Sequence, residues 1–135
     1  MRAVILLDHG SREPDANAQL EALAALVAAR LGGARVATAH LTLAPPTLAE
    51  AAAACVGDGA REIVVLPCFL APGRHVREDL PRLAAALRAA HPGVEVTLAE
   101  PLGAHPAVAD ALAERASSTS PRDRPGTFRK LTSED

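Results

Sequence analysis

The sequence predicts a single α/β domain of the doubly wound, flavodoxin-like type. We expect a four-stranded parallel sheet in the order 2-1-3-4, flanked by helices. The main observation is that short apolar segments of strand length alternate four times with segments of helical apolar spacing. Such alternation produces right-handed crossovers and a parallel sheet that is covered on both faces. The length of 135 residues also suits one domain rather than two.

The first two strand–helix units occupy residues 3–57. Ala3–Leu7 is an apolar segment of strand length, and Pro14 suits the first turn of the helix after it. Apolar residues at helical spacing predict the buried face of this helix: Leu20, Leu23, Val27 and Leu31. Arg35–Leu41 alternates enough to be the second strand. In the following helix, Thr47 and Glu50 have the spacing of a capping box, in which each side chain bonds the other residue's backbone N–H.

The last two units occupy residues 62–115. Glu62–Leu66 predicts a buried strand, and about ten residues then pass before helical spacing resumes at Leu80. Connections in such domains usually have about 2–6 residues, so we expect this long loop to be functional. Val94–Ala99 is the fourth predicted strand, and a last helix covers about Pro106–Arg115. We expect the domain to end at residue 116 and residues 117–135 to form a disordered, polar tail.

Composition argues against several classes of protein. Aromatic residues are only 1% of the chain and the net charge is -2, whereas nucleic-acid binding usually requires stacking rings or a basic face. No segment reaches the roughly 18–20 apolar residues of a membrane span, and the N-terminus lacks a signal-peptide pattern. We therefore expect a cytoplasmic protein without nucleic-acid or membrane partners. Cys55 and Cys68 lack CxxC spacing and are expected to be reduced, buried thiols, with metal ligation by Cys68 as the less favoured alternative.

Histidines and arginines follow the first and third predicted strands. The order 2-1-3-4 makes these strands neighbours and places a ligand-binding crevice at their carboxyl ends, where the following helices go to opposite faces. We expect His9 and His75 to share this crevice, because two imidazoles suit a divalent transition metal and can also accept protons. Ser11 can donate to an anionic ligand there. Guanidinium groups that match carboxylates in geometry and charge are expected around it: Arg12, Arg74 and Arg77.

The bland alternative, ordinary solvated side chains on surface loops, stays open for each of these residues. His40 is expected either to edge the crevice or to pack in the core. His91 is assigned to a surface turn, and His105 to the start of the last helix.

Three segments resemble a known family: residues 8–12 (DHGSR), 67–81 (PCFLAPGRHVREDLP) and 101–106 (PLGAHP). Together they resemble the short sirohydrochlorin chelatases, which are class II tetrapyrrole chelatases, and the long middle motif is the specific one. The resemblance covers residues 1–116. It implies a lyase that inserts Co²⁺, or Fe²⁺ as second choice, into sirohydrochlorin during cobalamin or siroheme biosynthesis. It assigns His9 and His75 as catalytic, metal-handling residues.

The resemblance also implies a homodimer that works without ATP or an organic cofactor, the metal being a substrate. The chain departs from the family at two positions, Thr42 and Pro45, where relatives often carry glutamates. A carboxylate there can assist metal delivery or accept pyrrole protons. Two alternatives therefore stay open: a non-catalytic carrier of metal or tetrapyrrole, and a phosphate-handling α/β enzyme that uses His9 and Arg12. The sequence does not distinguish Co²⁺ from Fe²⁺.

Overall fold

The architecture is the predicted alternation of strands and helices. We analysed a computed structural model, which describes residues 1–120. In chain order its elements are β1 (Arg2–Asp8), α1 (Pro14–Arg30), β2 (Arg35–His40), α2 (Leu48–Gly57), β3 (Glu62–Pro67), α3 (Arg74–Ala90), β4 (Glu95–Leu98) and α4 (Pro106–Ser118). The helix α4 therefore extends two residues into the segment expected to be a tail. The part of the predicted tail from residue 121 onward lies outside the described residues.

The sheet is parallel, and its order is β2-β1-β3-β4, as predicted. Alternate residues of β1 pack into two hydrophobic cores, one on each face of the sheet. Ala3, Ile5 and Leu7 pack with α2 and α3, whereas Val4 and Leu6 pack with α1. The helices that follow β1 and β3 thus lie on opposite faces of the sheet. The crevice between the carboxyl ends of these two strands is therefore the topological switch point of the fold.

Local signals fix the starts of the first two helices. Pro14 begins α1, and the capping box of α2 is present, with Glu50 N donating to Thr47 Oγ1 at 3.1 Å and Thr47 N donating to Glu50 Oε1 at 2.9 Å. The predicted face of α1 is partly wrong, because Ala24 is buried while Leu23 is exposed. At 100° per residue, Ala24 lies closer to the line of the buried Leu20 than Leu23 does.

The start of α3 corrects the predicted ten-residue loop. The connection from β3 is only 68–73, and α3 begins at Arg74, with Arg77 N donating to Gly73 O at 3.0 Å. His75 therefore lies in the first turn of a helix rather than on a loop. This turn was not recognised in the sequence because Pro81 lies inside the helix, where proline is unusual. Val76 lies four residues before Leu80 and fits the same apolar helical spacing.

The last helix packs weakly on the domain. No residue of α4 is buried, and Leu112 is 64% exposed. His105 caps its start, as expected, because its Nδ1 accepts from Ala107 N at 3.0 Å. His91 follows the end of α3, in agreement with its assignment to a turn. Within residues 1–120, no helix combines the length and apolar character needed to cross a membrane.

Candidate active site

A pocket of about 480 Å³ lies at the carboxyl edge of the sheet. Eight described residues line it: His9, Leu41, Thr42, His75, Val76, Asp79, Arg82 and Leu83. The structure therefore brings His9 and His75 into one pocket, at the switch point between β1 and β3. Both histidines are exposed, so a ligand can reach them from solvent.

A larger groove of about 1050 Å³ runs along the edge strand β2, between α1 and α2. Alanines of both helices form much of its lining, and no histidine or cysteine is among the described residues that line it. Because the smaller pocket holds the two predicted histidines and the groove holds no described histidine or cysteine, we place the candidate site in the smaller pocket.

Backbone hydrogen bonds join the loop that carries His9 to the loop that follows β2. Leu41 N donates to Asp8 O at 2.9 Å, and Thr42 N donates to His9 O at 3.1 Å. Gly10 has a φ of 92°, and a Cβ atom there would lie 1.9 Å from the backbone oxygen of Thr42. Glycine is thus required both by the backbone conformation and by the close approach of the two loops. The position of His9 relative to Thr42 is fixed by backbone contacts.

A partly buried hydrogen bond between His40 and Asp8 lies beneath the same loops. His40 is 3% exposed and is the single buried polar residue in the described part of the chain. Its Nδ1 lies 2.5 Å from Oδ1 of Asp8, whose side chain is 26% exposed. Because a carboxylate only accepts hydrogen bonds, the Nδ1–H donates. His40 is therefore packed under the crevice, which decides between the two alternatives that the sequence left open.

Ser11 forms a turn at the start of α1. Its Oγ accepts from Glu13 N at 3.0 Å, and its N–H donates to Asn17 Oδ1 at 3.0 Å. Asn17 Nδ2 donates back to Ser11 O at 2.7 Å. These bonds hold the loop between β1 and α1. Neither Ser11 nor the exposed Arg12 is among the described residues that line the pocket.

The arginines of α3 differ in their positions. Arg74 is 83% exposed and donates from Nε to Glu78 Oε1 at 3.1 Å, and Arg77 is also exposed. Neither belongs to the described lining of the pocket, whereas Arg82 does. Arg82 and Asp79 were missed in the sequence. Asp79 and Arg82 lie four and seven residues after His75, a spacing that puts all three on one face of a helix. This spacing was not recognised because the helix was predicted to start after His75.

Three exposed leucines follow three different strands at this edge of the sheet. Leu43 follows β2 and is 52% exposed, Leu70 follows β3 and is 61% exposed, and Leu102 follows β4 and is 46% exposed. The loops of Leu70 and Leu102 are joined, since Gly103 N donates to Phe69 O at 3.0 Å. The edge that carries the pocket therefore also offers apolar surface to a ligand.

The cysteines do not add a thiolate to the pocket. Both are free. Cys55 lies within α2 and is buried, as expected, whereas Cys68 is only partly buried, which corrects the expectation of two buried thiols. Burial raises the pKa of the Cys55 thiol. Desolvation likewise raises the pKa of the partly buried Cys68 to about 11, so this thiol is protonated at neutral pH. Within residues 1–120, no group of three or more His, Cys, Asp or Glu side chains is placed to hold a metal ion together.

The fold and the pocket define a doubly wound α/β protein with a histidine pair at its switch point. The chain belongs to the CbiX family, whose family model matches residues 3–119. It is 37% identical to the chloroplastic sirohydrochlorin ferrochelatase of Arabidopsis thaliana, over 83% of this chain and 50% of that protein. It is 31% identical to the sirohydrochlorin cobaltochelatase of Methanococcoides burtonii, over 84% of this chain and 92% of that one.

Solved structures show the same fold. A CbiX protein from Marinobacter aquaeolei VT8 superimposes with a TM-score of 0.73 at 34% identity, covering 88% of this chain and 100% of that chain. SirB from Bacillus subtilis, solved with Fe³⁺, gives a TM-score of 0.76 at 26% identity, but only 48% of SirB is covered. The chain spans about half the length of SirB and of the Arabidopsis relative.

Proposed function

We propose that this chain is a sirohydrochlorin chelatase, an ATP-independent lyase that inserts a divalent metal into sirohydrochlorin. The observation that carries the proposal is that His9 and His75 share one pocket at the switch point of a CbiX-family fold. We take Co²⁺ as the first choice of metal and Fe²⁺ as the second. Relatives named as cobaltochelatase and ferrochelatase support this pair of metals and a place in cobalamin or siroheme biosynthesis.

Metalation exchanges two pyrrole N–H protons for one divalent ion that must lose bound water. Neutral imidazoles suit Co²⁺ and Fe²⁺ as ligands, and two of them replace water that the ion loses. We assign His9 and His75 as the residues that hold the ion while the macrocycle approaches. Their exposure allows the ion to arrive from solvent and to leave with the product.

Sirohydrochlorin combines an apolar macrocycle with many carboxylates. The exposed leucines at positions 43, 70 and 102 suit its apolar face. Arg82, in the pocket wall, suits a carboxylate because its guanidinium is a fixed cation. The substrate-binding roles predicted for Ser11, Arg12, Arg74 and Arg77 stay predictions. Ser11 and Arg12 lie in the loop after β1, and Arg74 and Arg77 lie in the first turn of α3.

We further propose that two copies form a homodimer. The chain matches only about half of SirB. In the proposed dimer, a second copy of the chain takes the place of the other half of SirB. Val108 and Leu112 share one face of α4, yet no α4 residue is buried within one chain. Light scattering should give twice the chain mass of 13.9 kDa, and Leu112→Glu should shift the protein toward monomer. A monomeric wild type would contradict this assignment.

The decisive experiment for function is an absorbance assay with the purified full chain. Sirohydrochlorin is supplied with Co²⁺, Fe²⁺ or Ni²⁺ in turn, and the rate is compared with the same mixture without protein. We expect acceleration with Co²⁺ or Fe²⁺ and its loss in His75→Ala. Binding without acceleration would favour the carrier alternative, and phosphatase activity without a tetrapyrrole absorbance shift would favour the phosphate-handling alternative. The cytoplasmic location and the absence of an organic cofactor stay predictions.

A further inference from the structure

Asp79 places a carboxylate in the histidine pocket. It lies one helical turn after His75, on the same face of α3, and lines the pocket together with His9 and Thr42. It is the one carboxylate among the eight described lining residues. Its side chain is 56% exposed, so the carboxylate reaches both the pocket and solvent.

Metal insertion requires a proton acceptor besides the two histidines. A neutral imidazole has a single nitrogen with a free lone pair, and the other nitrogen carries a proton. While that lone pair binds the metal ion, the ring has no site left to accept a pyrrole proton. Arg82 is always protonated and cannot accept one either, and the hydroxyl of Thr42 is too weak a base. Among the lining residues, the carboxylate of Asp79 is left.

We propose that Asp79 is the catalytic base that removes the pyrrole protons during metal insertion, an inference that rests on the proposed chelatase function. The pyrrole N–H bond breaks, an O–H bond forms on Asp79, and the nitrogen electron pair forms the new bond to the metal, which loses a water molecule. Asp79 passes the proton to solvent through its exposed side and accepts the second one. The oxidation state of the metal does not change.

Two observations fit a base better than a ligand. Asp79 and the two histidines do not form a three-residue metal cluster in residues 1–120. Oδ1 of Asp79 also lies 3.6 Å from Nη1 of Arg82, so the carboxylate already has a cationic neighbour in the pocket wall.

The test compares Asp79→Asn, Asp79→Glu and a matched control, Asp58→Asn. Asp58 is 59% exposed and also pairs with an arginine, Arg35, at 3.1 Å, but it lies at the end of α2, away from the pocket. We expect Asp79→Asn to lower the initial rate of Co²⁺ insertion at least about tenfold, since general bases contribute about 10²–10⁴-fold. Co²⁺ binding to the protein alone should change less than about threefold, because both imidazoles remain.

Asp79→Glu should keep the rate within about fivefold of wild type, and Asp58→Asn should keep it within about twofold. Thermal melts accompany each variant. A wild-type rate in Asp79→Asn, or an equal loss in Asp79→Glu, would overturn the assignment. A parallel loss of Co²⁺ affinity in Asp79→Asn would also overturn it, since Asp79 would then be a metal ligand. A wild type that does not accelerate insertion would instead refute the proposed function.

Discussion

Replacing His40 tests whether its hydrogen bond to Asp8 holds together the two loops that form the pocket. The change His40→Leu keeps the apolar volume but removes the donor to Asp8. The change His40→Asn keeps a donor, because the Asn Nδ2 can stand close to the place of the imidazole Nδ1. The two variants therefore differ mainly in the hydrogen bond.

The expected loss follows from burial. Removing one partner of a fully buried ion pair costs about 3–5 kcal/mol. His40 is 3% exposed, but the side chain of Asp8 is 26% exposed, so water replaces part of the lost bond. A hydrogen bond to a charged group contributes about 1.5–3 kcal/mol, and we expect His40→Leu to lose about 2 kcal/mol. For a domain of this size that corresponds to a fall in Tm of about 6–10 °C. His40→Asn should lose less than half as much.

Thermal and urea unfolding measure the stability, and the absorption spectrum of bound Co²⁺ reports the arrangement of its ligands. Since His9 directly follows Asp8, we expect His40→Leu to change the Co²⁺ spectrum and His40→Asn to preserve it. Equal stability of His40→Leu and wild type would refute the argument from burial. An unchanged Co²⁺ spectrum in a destabilised His40→Leu would show that the contact between His40 and Asp8 contributes to stability but not to the arrangement of the Co²⁺ ligands.

Three further predictions follow from the site. His9→Ala and His75→Ala should each lower the insertion rate at least about tenfold, and the double variant should be little slower, because residues that act as one unit are not additive; multiplicative losses would show independent action. Gly10→Ala should destabilise the fold in urea by more than Gly59→Ala, because both glycines have positive φ but only Gly10 meets backbone within 4 Å; equal losses would contradict this. Alkylation of Cys68 should be slow at pH 8 and accelerate only toward its pKa of about 11, and fast alkylation at pH 7 would contradict burial.

The sheet was predictable because its signals are local. Each strand is a short apolar segment, and alternation with helices leaves few topologies for a chain of this length. The start of α3 was not predictable in the same way. Pro81 is a common signal for the beginning of a helix, and here it lies in the eighth position of one. Among residues 74–79 only Val76 is apolar, so no apolar face marked the first turn of α3.

The histidines of the site were predictable, whereas their surroundings were not. His9 and His75 follow the two strands that the order 2-1-3-4 makes neighbours. The pairing of Asp8 with His40 depends on the register between β1 and β2, which places these residues directly opposite each other. Apolar runs do not determine register to one residue when both faces of a strand are buried.

The position of His75 on a helix, rather than on a loop, determines what fixes the geometry of the pocket. In the first turns of α3, His75, Asp79 and Arg82 project from one rigid element, and their mutual spacing is set by helix geometry. His9 comes from the other side of the switch point and is fixed by its own contacts with the loop after β2. A metal held between the two histidines, as we propose, would bridge two separate elements of the fold. The separation of the two histidines, and with it the proposed metal affinity, would depend on how α3 packs on the sheet through Leu80, Ala84 and Leu87. Changes in that core should accordingly alter metal affinity without touching the pocket.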